Sequence, residues 1–169
     1  MPTMSEPREL FLHELGDMLY AEKAIEKTLP KLQKEASDRE LAKGFEHHLD
    51  ETKQQIENLE RVFKAMGEPA KAEKCPGIEG IKEEHDQFME SEDPSDEICD
   101  LFLTGAAART EHYEIAAYTG LVEMANALGE SECAKLLGEN LRQEEEMLQN
   151  VESSSKRLMK ETVGAGSRS

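Results

Sequence analysis

Six residues of this chain combine types and spacing that could hold a metal: Glu22, His48, Glu51, Glu111, Glu114 and Glu144. Each falls on or beside the apolar stripe of a long amphipathic segment. An isolated buried carboxylate costs several kcal/mol unless a cation or a proton neutralises it, so five such acids in one bundle ask for metal. Oxygen-rich coordination with one imidazole suits iron or manganese better than zinc, whose usual sites are tetrahedral and rich in nitrogen or sulfur, and better than copper. Carboxylates shared between two ions hold them ~3.5 to 4 Å apart. The expectation is a dinuclear centre of two iron ions, with manganese as the alternative. Glu51 and Glu144 or Glu111 would bridge, with Glu22, His48 and Glu114 more terminal.

The elements that must position these groups are helices. At ~100° per residue, Glu22 stands amid Phe11, Leu15, Met18, Leu19, Ile25 and Leu29, the stripe of a first helix. On the second, Leu41, Phe45, Leu49, Ile56, Leu59, Phe63 and Met66 form the stripe; His48 lies within it and Glu51 on its flank, while His47 and Asp50 point to water. The third has Glu111 within the face of Thr104, Ala108, Ile115, Tyr118 and Val122, and Glu114 toward one side. On the fourth, Leu137, Leu141, Leu148 and Val151 bracket Glu144; a modest rotation would bring in Glu145 instead.

Depth along the axis is an independent test. Glu22 is about 14 residues before the first turn and Glu51 about 14 after it; Glu111 and Glu114 are 18 and 15 before Gly129, and Glu144 is 15 after it. At ~1.5 Å per residue all the groups fall ~21 to 27 Å from the ends of helices ~45 Å long. They meet near the middle, a coincidence that amphipathicity alone does not require.

Punctuation gives the organisation. Ser5 can cap a first helix running to about Ala36, and Ser37 with Glu40 makes a capping box for a second that ends at Met66, with Gly67 as C-cap. Residues 67 to 96 form a polar, proline-rich crossover with a short helical piece near 79 to 91. A third helix is expected from Asp93, with Pro94 in its first turn, to Leu128, and a fourth from Ser131 to Glu161. Short turn, long crossover, short turn predicts an all-α four-helix bundle of up, down, down, up order: one domain over 1–162, with 163–169 as a disordered tail.

Composition sets the limits. A net charge of −17 repels phosphate backbones and anionic lipid, which speaks against nucleic acid and membrane partners. No apolar run approaches the ~18 residues of a membrane span, and MPTMSEPREL lacks signal-peptide character, so a cytoplasmic protein is expected. Cys75, Cys99 and Cys133 are odd in number and far apart, and read as reduced thiols, Cys75 being the most exposed beside Pro76 and Gly77. His112 points roughly 100° from its helix's apolar face and reads as a surface residue or as one that supports a ligand from behind. Packing accounts for Tyr118, and Pro30 is expected to kink the first helix.

The segments LGDMLYAEKAIEKTLPKL, HHLDETKQQIENLERVFKAMG, EKCPGIEG and RTEHYEIAAYTGLVEMANALGES closely resemble the YciE/YciF-like proteins, a bacterial family of ferritin-like fold associated with stress responses. The likeness spans about residues 7 to 160. It implies a rubrerythrin-like bundle with a di-metal carboxylate site, a homodimer, and inward acids at Glu22, Glu51, Glu111, Glu114 and Glu144. The chain departs from the wider ferritin-like pattern of Glu-x-x-His on two helices: it reads His48-x-x-Glu51, and Met147 follows Glu144 by three. The expected function is a di-iron protein acting on dioxygen or peroxide, its electrons drawn from an external donor because no rubredoxin-like segment is present. The alternatives are an iron- or manganese-binding protein without turnover, and a metal-free interaction bundle.

Overall fold

The computed structural model describes residues 4–166. Five helices follow one another: α1 (Pro7–Glu35), α2 (Arg39–Ala65), α3 (Pro76–Ser91), α4 (Asp96–Ala127) and α5 (Ser131–Gly166). No strand occurs among the described residues, and no helix among them is long and apolar enough to cross a membrane.

Local chemistry explains the helix ends. Pro7 opens α1, where its missing N–H is no loss, and the Glu9 carboxylate reaches back to accept from the backbone N–H groups of Ser5 (2.8 Å) and Glu6 (3.0 Å). The helix therefore starts after Glu6, where the sequence pointed to Ser5 as cap. For α2 the cap is Asp38 and not Ser37: its carboxylate accepts from Leu41 N at 2.8 Å and from Arg157 Nη2 at 2.7 Å, so the residue answers to α5 as well as to its own helix. Gly67 and Gly129 take the left-handed conformation (φ 74° and 78°) past the ends of α2 and α4. Pro30 lies inside α1, and the helix runs on through it. Ser95, not Asp93, caps α4; Asp93 sits in the connection with φ 43°. The last helix continues through residues 163–166, which the sequence reading placed in a tail; residues 167–169 of that tail lie outside the described residues.

Tertiary contacts establish the topology. At one end Arg8, in the first turn of α1, donates to Met66 O just beyond α2. At the other, Asp100 near the start of α4 accepts from Ser37 N and Asp38 N in the α1–α2 turn, and Arg157 near the end of α5 pairs with Asp38. The crossover thus leaves one end and α4 begins at the opposite one, which is the up, down, down, up order. The four long helices close a ring, α1 against α2 and α4, and α5 against both of those.

The crossover helix is longer than its sequence suggests. It starts at Pro76, capped by Cys75 Sγ, and lies against α4. Cys75, expected to be the most exposed thiol, is fully buried: packing against Tyr113, whose hydroxyl is 3.0 Å from Sγ, overrides the loop chemistry around it. A Cβ on Gly77 would stand 2.6 Å from the Tyr113 ring, so glycine is what lets α3 begin this close to α4. All three cysteines are free and buried.

Candidate metal centre

The middle of the ring is polar where a bundle is ordinarily apolar. Glu22, Glu114 and Glu144 are fully buried, with His48 at 1% and Glu111 at 2% exposure. They come from all four long helices. His48, Glu111, Glu114 and Glu144 each present one atom such that all four lie within 4.8 Å of one another. His48 Nε2 stands 3.6 Å from Glu111 Oε1 and 3.8 Å from Glu144 Oε2, too far for good hydrogen bonds and close enough for all three to address a common point.

Glu22 belongs to the same charge cluster. Burial first, and then the Glu144 carboxylate, pushes its proton affinity well above the ordinary carboxylate range, against a hydrogen bond from Tyr118 that pulls the other way. Burial and the neighbouring acids raise Glu111 and Glu114 similarly, with Glu144 the strongest of those neighbours for both. Glu51 stands apart. Its side chain keeps 16% exposure and lies outside the four-group cluster, bracketing the site through the histidines: Oε2 is 3.5 Å from His48 Nδ1 and Oε1 is 3.4 Å from His47 Nε2. Glu114, which the sequence set to one side, lies inside the four-group cluster. The face of α4 is centred closer to Ala107, Glu114 and Tyr118 than the sequence implied. Between Glu144 and Glu145 the structure is plain: Glu144 is buried and Glu145 exposed. His47 and His112 are exposed, as expected.

Donors reach two of these carboxylates. Gln55 Nε2 donates to Glu144 Oε1 at 2.5 Å, and Tyr118 donates to Glu22 Oε1. Behind the tyrosine a chain of amides fixes its hydroxyl: Asn140 Nδ2 donates to Tyr118 OH (3.0 Å), Asn58 Nδ2 to Asn140 Oδ1 (2.8 Å), and Arg61 Nη1 to Asn58 Oδ1 (3.2 Å). The sequence reading passed over Gln55, Asn58 and Asn140 and gave Tyr118 to packing alone, although Gln55 follows His48 by seven and Tyr118 follows Glu111 by seven, the heptad spacing that keeps a helix position on one stripe.

The remaining atoms of the cluster are not met by donors. Among the described residues, Glu22 Oε2, Glu111 Oε2, Glu144 Oε2, both oxygens of Glu114, and His48 Nε2 are buried without a hydrogen-bond partner. Buried polar atoms are nearly always paired, and several carboxylates in one dry volume cannot all carry charge without compensation. A cation among them satisfies both demands together, and hard oxygen donors with one imidazole suit iron or manganese. The residues present fit a metal.

Comparison with known proteins agrees with this architecture. A family model described as "Domain of unknown function (DUF892)" matches residues 6–164. Protein YciF of Escherichia coli (strain K12) is 38% identical over 142 residues, 83% of this chain and 85% of that protein. The crystal structure of the E. coli stress protein YciF superposes with a TM-score of 0.88 at 34% identity, covering 92% of this chain and 98% of the other. YcfI from Rhodopseudomonas palustris gives 0.85 at 35% identity, over 88% and 94%. The chain therefore belongs to the DUF892 family and is a YciF-like protein of ferritin-like fold.

Proposed function

We propose that this protein is a dinuclear metal carboxylate protein, holding iron or, alternatively, manganese, and acting on dioxygen or peroxide in a stress response. The observation that carries the reading is the convergence of three carboxylates and one imidazole within 4.8 Å, with buried atoms of all four lacking any protein partner. His48, Glu111, Glu114 and Glu144 would form the shared core of the site, Glu22 would serve one flank and Glu51 the other. When bound, such a pair of ions supplies one-electron and two-electron redox chemistry and a Lewis-acidic centre.

The chain's own residues have distinct tasks around it. Tyr118 and Gln55 each hold one carboxylate oxygen, and the second, Glu22 Oε2 or Glu144 Oε2, has no protein partner. Glu51 near His48 Nδ1 orients the ring and keeps Nε2 directed at the cluster, the usual role of an acid behind a ligating histidine. Full burial excludes bulk water and strengthens every charge interaction at the centre. The stress association rests on the E. coli relative, which is named a stress protein. Homodimer formation is carried by the family resemblance and is checked by solution mass.

The test is elemental analysis of protein from an iron- and manganese-replete host, followed by anaerobic ferrous loading and exposure to dioxygen and to hydrogen peroxide. About two ions per chain and oxidant-dependent absorbance support the proposal. Ions bound with no consumption of oxidant would reduce it to sequestration.

A further inference from the structure

Beside the charge cluster lies a second, apolar feature. A cavity offering about 40 Å³ to the centre of a water-sized sphere runs from the half-exposed Thr28, Leu32 and Lys82 inward to His48 and Glu111. Its inner walls are Leu29, Phe45, Ile78, Ala107 and Met147, all buried. The crossover helix α3 therefore does more than connect: Ile78 and Lys82 are one wall of this cavity.

What the cavity can hold follows from its hydrogen bonds. The volume exceeds the roughly 10 to 15 Å³ one water needs, but a buried water also needs two to four polar partners. The walls supply few. Thr28 Oγ1 gives its proton to Ala24 O (2.9 Å), Thr110 Oγ1 gives its own to Ala106 O (3.1 Å), and Lys82 Nζ is paired with Glu79 Oε1 (3.1 Å) at the mouth. Along the inner walls the two threonine hydroxyls keep only acceptor capacity, and the buried atoms with no partner at all are at the floor, His48 Nε2 and Glu111 Oε2. A charged or strongly hydrated molecule passing Leu29, Phe45, Ile78 and Met147 would lose more hydration to these walls than the two floor atoms return. A small, uncharged, apolar molecule loses almost none.

We propose that this cavity is a binding site for a small apolar molecule of the size and class of dioxygen, held against the His48 and Glu111 side of the cluster. The role, though not the cavity's selectivity, rests on the metal-site reading above. Between the two oxidants considered there, the walls select the diatomic gas over peroxide, which carries two donors and is strongly hydrated.

Xenon is the probe, since dry apolar cavities take it up. Crystals of chelator-treated protein are pressurised with xenon, and parallel crystals are soaked in azide, a small hydrated anion. Expected is a xenon peak between Phe45, Ile78, Ala107 and Met147 with no azide there, and loss of the xenon peak in Ala107→Leu, whose added carbons fill the space. Azide in the cavity, or no xenon in the wild-type protein, overturns the proposal; the wild-type arm decides even if the variant fails to fold. Because metal is absent from this experiment, a failure of the metal reading is seen separately, in elemental analysis.

Discussion

Tyr118 on α4 donates its hydroxyl to Glu22 on α1, and both side chains are fully buried. The pair ties two helices together at the level of the charge cluster, and Asn140 Nδ2 on α5 holds the same hydroxyl at 3.0 Å. Burial, then the charges of Glu22 and Glu144, pushes the phenol's proton affinity upward, so it remains a donor throughout the neutral range. Tyr118→Phe strips Glu22 Oε1 of its donor. The expected loss is about 1–3 kcal/mol, read from the urea midpoint of chelator-treated protein; an unchanged midpoint would mean that this bond contributes nothing to the bundle.

Buried acids give the metal-free protein an inverted pH response. Glu22, Glu111 and Glu114 have folded-state proton affinities raised above the ordinary value of 4.5, so from that pH up to the raised values the folded chain holds more protons than the unfolded one. Stability must then fall as pH rises through that window. As pH rises above the ordinary carboxyl value of 4.5, thermal midpoints in chelator should decline. A divalent metal displaces those protons, so its affinity should rise over the same range. A flat profile in chelator would contradict the burial of uncompensated carboxylates.

Two glutamates should separate by effect. Glu114→Gln removes a fully buried carboxylate whose oxygens have no partner, so in chelator the variant should be more stable than wild type while its metal affinity falls by more than the ~10- to 100-fold that loss of a supporting hydrogen bond brings. Glu51→Gln, at a partly exposed position outside the four-group cluster, should fall within that smaller range and leave chelated stability nearly unchanged. Calorimetric titration with manganese ranks them, and the reverse order would return Glu51 to the centre of the site.

At the turn end of the bundle, Asp38 caps α2 and accepts from Arg157 on α5. The Arg157 hydrogen bond, the largest influence on it, holds the carboxyl below its ordinary value of 3.8. The stabilisation is therefore complete above that value and lost as pH falls through the lower folded-state one. Asp38→Ala should cost about 1–2 kcal/mol at neutral pH. Asp38→Asn, which keeps a capping oxygen, should cost less, and denaturant melts distinguish the two.

Much of this was legible before any coordinates. The inward direction of Glu22, His48, Glu111 and Glu144 followed from angular position, and their common height from counting residues to the turns, because both depend only on helix geometry. What stayed hidden depended on neighbours. Gln55, Asn58 and Asn140 are polar residues whose partners across the bundle no sequence pattern names, and the approach of α2 to α5 brings those partners within reach. Cys75 carries the loop signals of exposure, yet Tyr113 covers it. Asp38, the cap in place of Ser37, also accepts from a guanidinium 119 residues away that no local pattern reveals. Residues 163–166, rich in glycine, looked unstructured, but α5 continues through them.

Titration of chelator-treated protein with manganese(II), and anaerobically with ferrous ion, tests the central claim most directly. Saturable binding of about two ions per chain, a raised thermal midpoint, and loss of both in Glu114→Gln are the expected results. A folded protein that takes up neither ion and melts at the same temperature in their presence would show that the acids at the centre of the bundle are neutralised by protons alone.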